Sequence, residues 1–191
     1  MRLYTKVEEP YDARVYVPYT KVTPKLQHVI DALRVQFVQP EATRIKGKEG
    51  YWKLIADLWD RGETFFIVEQ DNIVWPGAID TLNHCKNPWC TLPSLCRGVM
   101  VYTSFGTVKF DAAIIERFPD FWKDLPDKQW YWLDSNWATH MIEQDETVCI
   151  HWPASTHLNE LHWPDNMSKR YEAYKVWKLD VDKEKFTIKL K

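Results

Sequence analysis

Two hydrophobic periods run along the chain, and the switches between them predict an ordered series of strands and helices. Arg14-Val15-Tyr16-Val17-Pro18 reads as a first strand closed by proline. Thr23 then offers a cap, with Pro24 in the first turn, for a helix reaching about residue 35. Its Leu26, Ile30 and Leu33 recur at helical spacing and bury one face. Residues 35–38 predict a second strand, and residues 39–50 a polar, basic loop with Arg44, Lys46 and Lys48 on it. The next unit is the clearest. Trp52, Ile55, Leu58 and Trp59 lie three and four apart, as on an amphipathic helix, and Arg61-Gly62 ends it. Phe65-Phe66-Ile67-Val68 follows without a polar position, the mark of a strand buried on both faces of a parallel sheet.

Downstream, the pattern predicts helices over residues 77–82, 110–117, 131–143 and 167–178. Strands are predicted over 98–102 and 147–150, with an alternating edge strand over 186–190. Helices alternating with strands make the class α/β, a single compact domain on a mostly parallel central sheet. Residues 1–164 form the expected main unit, with 165–191 packed on it as a helix and edge strand or a tail.

Composition narrows the function classes. The chain has 191 residues, 45% of them hydrophobic, and 25 Lys and Arg against 27 Asp and Glu. A net charge of −2 excludes a polybasic protein, although the last 27 residues carry an excess of three positive charges and can touch a polyanion such as DNA. Aromatics reach 15%, with 11 Trp, 9 Tyr and 8 Phe, which serves either ligand stacking or a thick core. No run approaches the roughly 20 apolar residues of a bilayer span. The first residues reach Glu8-Glu9 without a signal peptide's apolar stretch. Four cysteines are too few for a disulfide scaffold, so a reduced cytoplasmic protein is expected. Cys85, Cys90 and Cys96, with His84, fit no standard zinc module, and buried thiols are the expectation there. Dinucleotide-binding, P-loop and nucleophile-elbow motifs are absent from the sequence.

Three segments carry candidate chemistry. Glu69-Gln70-Asp71 stands at the carboxyl end of the apolar strand, where parallel sheets bind ligands. Residues i and i+2 of an extended chain point the same way, so Glu69 and Asp71 can offer two oxygen ligands to one divalent cation that also meets a diphosphate. A solvated acidic turn would read the same. His151 and His157 lie six apart on a strand and loop, as metal ligands, bases or hydrogen-bonded structural histidines. Asp134, in Trp130-Tyr131-Trp132-Leu133-Asp134, sits at a helix start, where it can take a proton from a hydroxyl or cap the helix.

Taken in order, these features resemble a small glycosyltransferase of the GT-A fold, and in particular short glycosyltransferase-like proteins of phages and bacteria. The resemblance spans residues 13–163. It rests on the E-x-D of Glu69-Gln70-Asp71, the Cys85, Trp89 and Cys90 segment, the W-x-x-L-D ending in Asp134, and the H-x-P-x-x-x-H from His151 to His157. It implies a metal-dependent transferase moving a sugar from a nucleotide-diphosphate sugar, UDP-linked by preference, to a hydroxyl acceptor. A modified base in DNA is one such acceptor. Asp71 would bind Mn²⁺ or Mg²⁺, with His157 and then His151 as further ligands. Glu69, Gln70, Pro18, Tyr19 and Thr20 would bind the nucleotide-sugar, Arg44 and Lys46 its diphosphate. Asp134 would be the base, and Trp132 and Trp137 stacking surfaces for sugar or acceptor. A non-catalytic sugar- or nucleotide-binding module and a metal-dependent phosphohydrolase are the alternatives.

Overall fold

A computed structural model of the chain describes residues 14–34, 36, 38–96, 99–152, 155–157, 180–182 and 187–189. The order is β1 (Arg14–Tyr19), α1 (Pro24–Arg34), β2 (Glu41–Arg44), α2 (Gly50–Trp59), β3 (Phe65–Val68), β4 (Asn72–Ile73) and α3 (Ala78–Asn83). Then come β5 (Trp89–Thr91), β6 (Ser94–Cys96), β7 (Val99–Val101), β8 (Thr107–Phe110), α4 (Ala112–Arg117), a 3₁₀ turn (Trp130–Trp132) and α5 (Leu133–Glu143). β9 (Val148–Ile150), β10 (Thr156–His157), β11 (Asp180–Asp182) and β12 (Thr187–Lys189) complete it.

Eight strands form the central sheet in the order β11-β12-β9-β5-β8-β3-β1-β2. β2, β1 and β3 run parallel, and β5 and β9 share their direction, while β8 and β12 run against them. The sheet is therefore mostly parallel, and the class is mixed α/β. Helices cover both faces because β3 has no solvent side. Phe65 and Ile67 enter one core with residues of α2, α4 and α5, and Phe66 and Val68 enter the other with α1 and α3. The connection from β1 to β2 crosses one face through α1, and that from β2 to β3 crosses the other through α2. Strand order thus reverses at β1, and the carboxyl ends of β1 and β3 flank the place where open α/β sheets form a ligand crevice.

Local signals explain most elements. Thr23 caps α1, its Oγ1 accepting from the Leu26 N–H at 3.2 Å. α2 stops at Gly62, whose φ of +71° suits glycine and whose N–H donates to the Trp59 carbonyl at 3.0 Å. Two expectations fail. The second strand is not at Gln36 or Val38, where the Gln36 N–H instead turns back to the Leu33 carbonyl at 3.0 Å, residues 35 and 37 lying outside the described residues. It is Glu41–Arg44, an exposed edge strand within the expected loop, held by the ladder to β1 rather than by apolar residues. Phe110 ends β8 and does not begin a helix: residues 107–110 are all buried between β3 and β5, and α4 starts at Ala112 after an Asp111 cap. The helix expected at 167–178 lies outside the described residues. β12 pairs with β9 and β11, so it is internal, and β11 is the edge. No helix of the described residues is long and apolar enough to cross a membrane.

Among the described residues the aromatics are mostly core. Trp59, Phe65, Phe110, Trp122 and Trp137 pack together, Trp59 edge-on to Trp137 at 5.2 Å and Trp122 stacked on Trp137 at 5.8 Å. Trp137 is fully buried there, which leaves no ring face for a sugar. Trp132, by contrast, is 49% exposed. Trp137→Ala is therefore expected to cost about 3–5 kcal/mol in denaturant unfolding. Trp132→Ala is expected to stay within about 0.5 kcal/mol of the parent. Comparable losses for the two variants would refute this division of the aromatics.

Candidate active site

β3 leaves the sheet at Glu69, whose N–H donates to the Gly106 carbonyl at 2.9 Å. The chain then turns tightly, the Asn72 N–H donating to the Glu69 carbonyl at 3.0 Å, and enters β4. β4 pairs antiparallel with β10, with His157 opposite Asn72 and Thr156 opposite Ile73. This two-residue ladder carries His157 to Asp71 from 86 residues away in sequence, with Nε2 to Oδ2 at 3.6 Å. Ligand atoms of Glu69, Asp71 and His157 all lie within 4.8 Å of one another.

A buried polar network fixes the ladder. The Ser155 hydroxyl lies 2.9 Å from Asn72 Oδ1 and 3.1 Å from the Ser94 hydroxyl, and the Ser155 N–H donates to the Pro93 carbonyl at 2.9 Å. Gly106 must be glycine here. A Cβ would meet the Asn72 amide, and the Ser94 hydroxyl at 2.7 Å.

Two more groups converge on the acids. Tyr51, buried on α2, donates to the Phe105 carbonyl at 3.3 Å and hydrogen-bonds Glu69. Asp134, on the first turn of α5, is near enough for its charge to act on both Tyr51 and Glu69. Burial foremost, then the charges of Asp71 and Asp134, push the Glu69 pKa from its ordinary 4.5 up to about 8, against the Tyr51 hydrogen bond. Burial also raises Asp134, offset in part by hydrogen bonds from Ser135, whose N–H donates at 2.7 Å.

The nucleotide candidates lie at the carboxyl ends of β1 and β2. Pro18 is buried, Tyr19 half-buried and Thr20 exposed at the carboxyl end of β1. The Thr20 N–H donates to Gln70 Oε1 at 3.0 Å, spanning from β1 to the acidic turn. Arg44 pairs with Tyr19 in register, and the Ile45 N–H extends that ladder to the Tyr19 carbonyl at 2.9 Å. Lys46 follows, exposed. The same loop meets the exposed turn Trp130–Trp132, where the Trp130 N–H donates to the Lys48 carbonyl at 3.1 Å.

The structure thus brings together Glu69, Gln70, Asp71, His157 and Asp134, with Pro18, Tyr19, Thr20 and Arg44 beside them. Two candidates stand elsewhere. Trp137 lies in the core, and His151 groups with Cys85 and Cys149 rather than with Asp71. The expected choice of His151 as a ligand beside Asp71 is corrected accordingly: the β9 ladder continues through the His151 N–H to the Thr91 carbonyl at 2.9 Å and directs the ring elsewhere. Sequence reasoning missed Tyr51, Gly106 and the Asn72–Ser155–Ser94 network. Asn72 directly after the acidic motif was the available signal; nothing local marks the others. The basic candidates Lys169, Arg170, Lys175 and Lys178 lie outside the described residues.

The raised Glu69 pKa has a sign that stability reports. A carboxyl whose folded pKa of about 8 exceeds its ordinary 4.5 favours folding below 4.5, and that contribution is lost as pH rises through 8. In chelator, Glu69→Gln is therefore expected to change Tm little near pH 4.5 and to raise it above pH 8, by calorimetry. The same shift at both pH values would refute it.

No protein-family model matches the chain, and no curated protein matches it in sequence. Among solved structures it is similar to a glycosyltransferase involved in the glycosylation of the major capsid of PBCV-1. That match has a TM-score of 0.50 at 9% identity and covers 85% of this chain and 98% of that one. A Bacillus anthracis protein assigned as a glucose-1-phosphate thymidylyltransferase, solved with a sucrose, matches at a TM-score of 0.45 and 10% identity, over 84% of this chain and 74% of that one. The second is too distant to carry an argument. The first shows the fold alone: over 85% of its length the chain shares the mixed α/β, GT-A-like fold of that protein.

Proposed function

We propose that the protein is a divalent-cation-dependent glycosyltransferase that moves a sugar from a nucleotide-diphosphate sugar to a hydroxyl acceptor. The observation that carries this reading is the convergence of Glu69, Asp71 and His157, from two distant segments, at the carboxyl end of β3 and beside Asp134. Two carboxylates and an imidazole suit Mn²⁺ or Mg²⁺, and a bound cation would relieve the part of the Glu69 shift that comes, after burial, from the charges of Asp71 and Asp134. Asp71 and His157 would hold the ion directly, with Glu69 completing the set or meeting the ribose. Such an ion supplies charge neutralisation for a departing nucleoside diphosphate.

The chain's own residues account for the rest. The crevice between Tyr19-Thr20 and Gln70 receives the nucleotide, UDP being the preferred donor base, and Arg44 with Lys46 offers positive charge to the diphosphate. Asp134 is a general base for the acceptor hydroxyl, and its burial strengthens it for that role. Trp130, Tyr131 and Trp132, 55%, 42% and 49% exposed, form an aromatic surface on which a sugar ring can stack. A hydroxylated base in DNA is the acceptor we would try first, because DNA would also engage the basic final segment.

The test is a panel of UDP-, GDP- and CDP-sugars incubated with Mn²⁺ and followed for released nucleoside diphosphate. One donor is expected to turn over, with loss in EDTA and in Asp71→Ala. Asp134→Asn is expected to lower transfer about 10²–10⁴-fold, while the thermal shift produced by Mn²⁺ and the nucleoside diphosphate persists. Gly106→Ala should weaken that shift by displacing Asn72. Metal-independent nucleotide binding that survives Asp71→Ala would instead indicate a binding module, and phosphate release from simple esters a phosphohydrolase.

A further inference from the structure

A second convergence of side chains lies on another part of the sheet. Across adjacent strands, Cys149 of β9 stands opposite Cys90 of β5, Cys90 opposite Lys109 of β8, and Lys109 opposite Phe66 of β3. Cys149 is thus three strands from β3, roughly 14 Å at about 4.8 Å per strand. Because the β9 ladder extends to the His151 N–H, residues 149 and 151 point to the same side of the sheet. The Cys149 sulfur and His151 Nε2 are 3.4 Å apart. Cys85 descends onto them from the end of α3, where its N–H donates to the Leu82 carbonyl at 3.2 Å.

The sulfurs of Cys85 and Cys149 and a ring nitrogen of His151 all lie within 4.8 Å of one another. Cys90 stands beside the cluster, opposite Cys149 in the ladder and buried in the same core. None of Cys85, Cys90 and Cys149 is in a disulfide. In a tetrahedral zinc site, bonds of about 2.3 Å to sulfur and 2.0–2.1 Å to nitrogen place neighbouring ligand atoms about 3.5–3.8 Å apart. The Cys149–His151 separation of 3.4 Å is close to that spacing, and Cys85 lies within 4.8 Å of both.

Charge supplies an independent argument. Lys109 is only 2% exposed, an uncommon place for an ammonium. Its Nζ donates to the Cys85 carbonyl at 2.7 Å and has the Asp111 carboxylate at 3.5 Å. It also acts electrostatically on Cys90 and Cys149. A zinc ion with three thiolates and one imidazole carries a net negative charge, and a buried ammonium beside it is the matching counter-ion.

We infer that Cys85, Cys149 and His151, with Cys90 as fourth donor, bind one zinc ion in a thiolate-rich site that staples β9 to the end of α3. Each thiol that becomes a ligand gives up its proton to solvent, so binding is coupled to proton release. Cys90, now donating to the Leu82 carbonyl at 3.7 Å, turns toward Cys85 to close the set. Half-exposed Cys85 provides the way in. The soft donors distinguish this site from the oxygen-rich one at Asp71.

The experiment uses the full chain, purified with reductant, equilibrated with Zn²⁺ and desalted, with metal content measured by mass spectrometry. Co²⁺ substitution gives a second readout through thiolate-to-cobalt charge-transfer absorption. One zinc per chain and a thiolate-type cobalt spectrum are expected, both unchanged in Asp71→Ala and both lost in Cys149→Ser and Cys85→Ser. Should either variant fail to fold, the wild-type cobalt spectrum and its change in His151→Ala decide. Substoichiometric zinc in the wild type, a cobalt spectrum without thiolate absorption, a spectrum that survives the cysteine substitutions, or a Cys85–Cys149 disulfide in protein isolated without reductant would each overturn the inference.

Discussion

β3 is four residues long and entirely buried, and its alternating side chains knit two separate cores, Phe65 and Ile67 into one, Phe66 and Val68 into the other. A strand so placed cannot expose a polar group along its length, because an unpaired one would be stranded without water. Polar residues can appear only where the strand ends. Glu69, Gln70 and Asp71 come at that point, and every other part of the site is arranged around their position: β1 beside it, Gly106 beneath it, β10 across it. The acids are therefore held by the most deeply packed element of the sheet rather than by a free loop.

Once fixed there, the carboxylates confront each other. Glu69 lies near Asp71 and Asp134 in a partly dehydrated place, and its proton affinity rises in response. The molecule keeps this repulsion because packing, not electrostatics, sets the backbone. The row of thiols with Lys109 shows the opposite balance, a positive charge buried among groups able to become negative. In both places the clustered donor atoms are of a kind that a cation of matching softness binds.

Much of this was legible in the sequence where the signal was local. The apolar run of β3, the amphipathic face of α2, the Thr23 cap and the acidic motif after residue 68 each follow from neighbours within a turn or two. β2 was not legible, since Glu41-Ala42-Thr43-Arg44 has neither alternation nor apolar content and becomes a strand only through its ladder to β1. β8 was misread because Phe110 closes a buried strand and also precedes a helical run. β4 and β10, two residues each, are too short for any period, so the meeting of Asp71 with His157 depends on a pairing that sequence spacing does not encode. His151 and His157 looked like one pair along the chain. Six residues were enough for the fold to send them to different places.

The hydrogen bond from the Thr20 N–H to Gln70 Oε1 has a kinetic consequence. It ties the carboxyl end of β1 to the acidic turn, and it is exposed, so exchanging it for water or ligand involves a net free energy of only about 0.5–1.5 kcal/mol. A ligand that inserts between β1 and the acidic turn must break it, while its own acceptor atoms can take over the released N–H. The bond thus behaves as a weak latch whose opening is repaid on entry. Molecules that wedge these segments apart without offering an acceptor to the Thr20 N–H leave that donor unsatisfied and depart sooner.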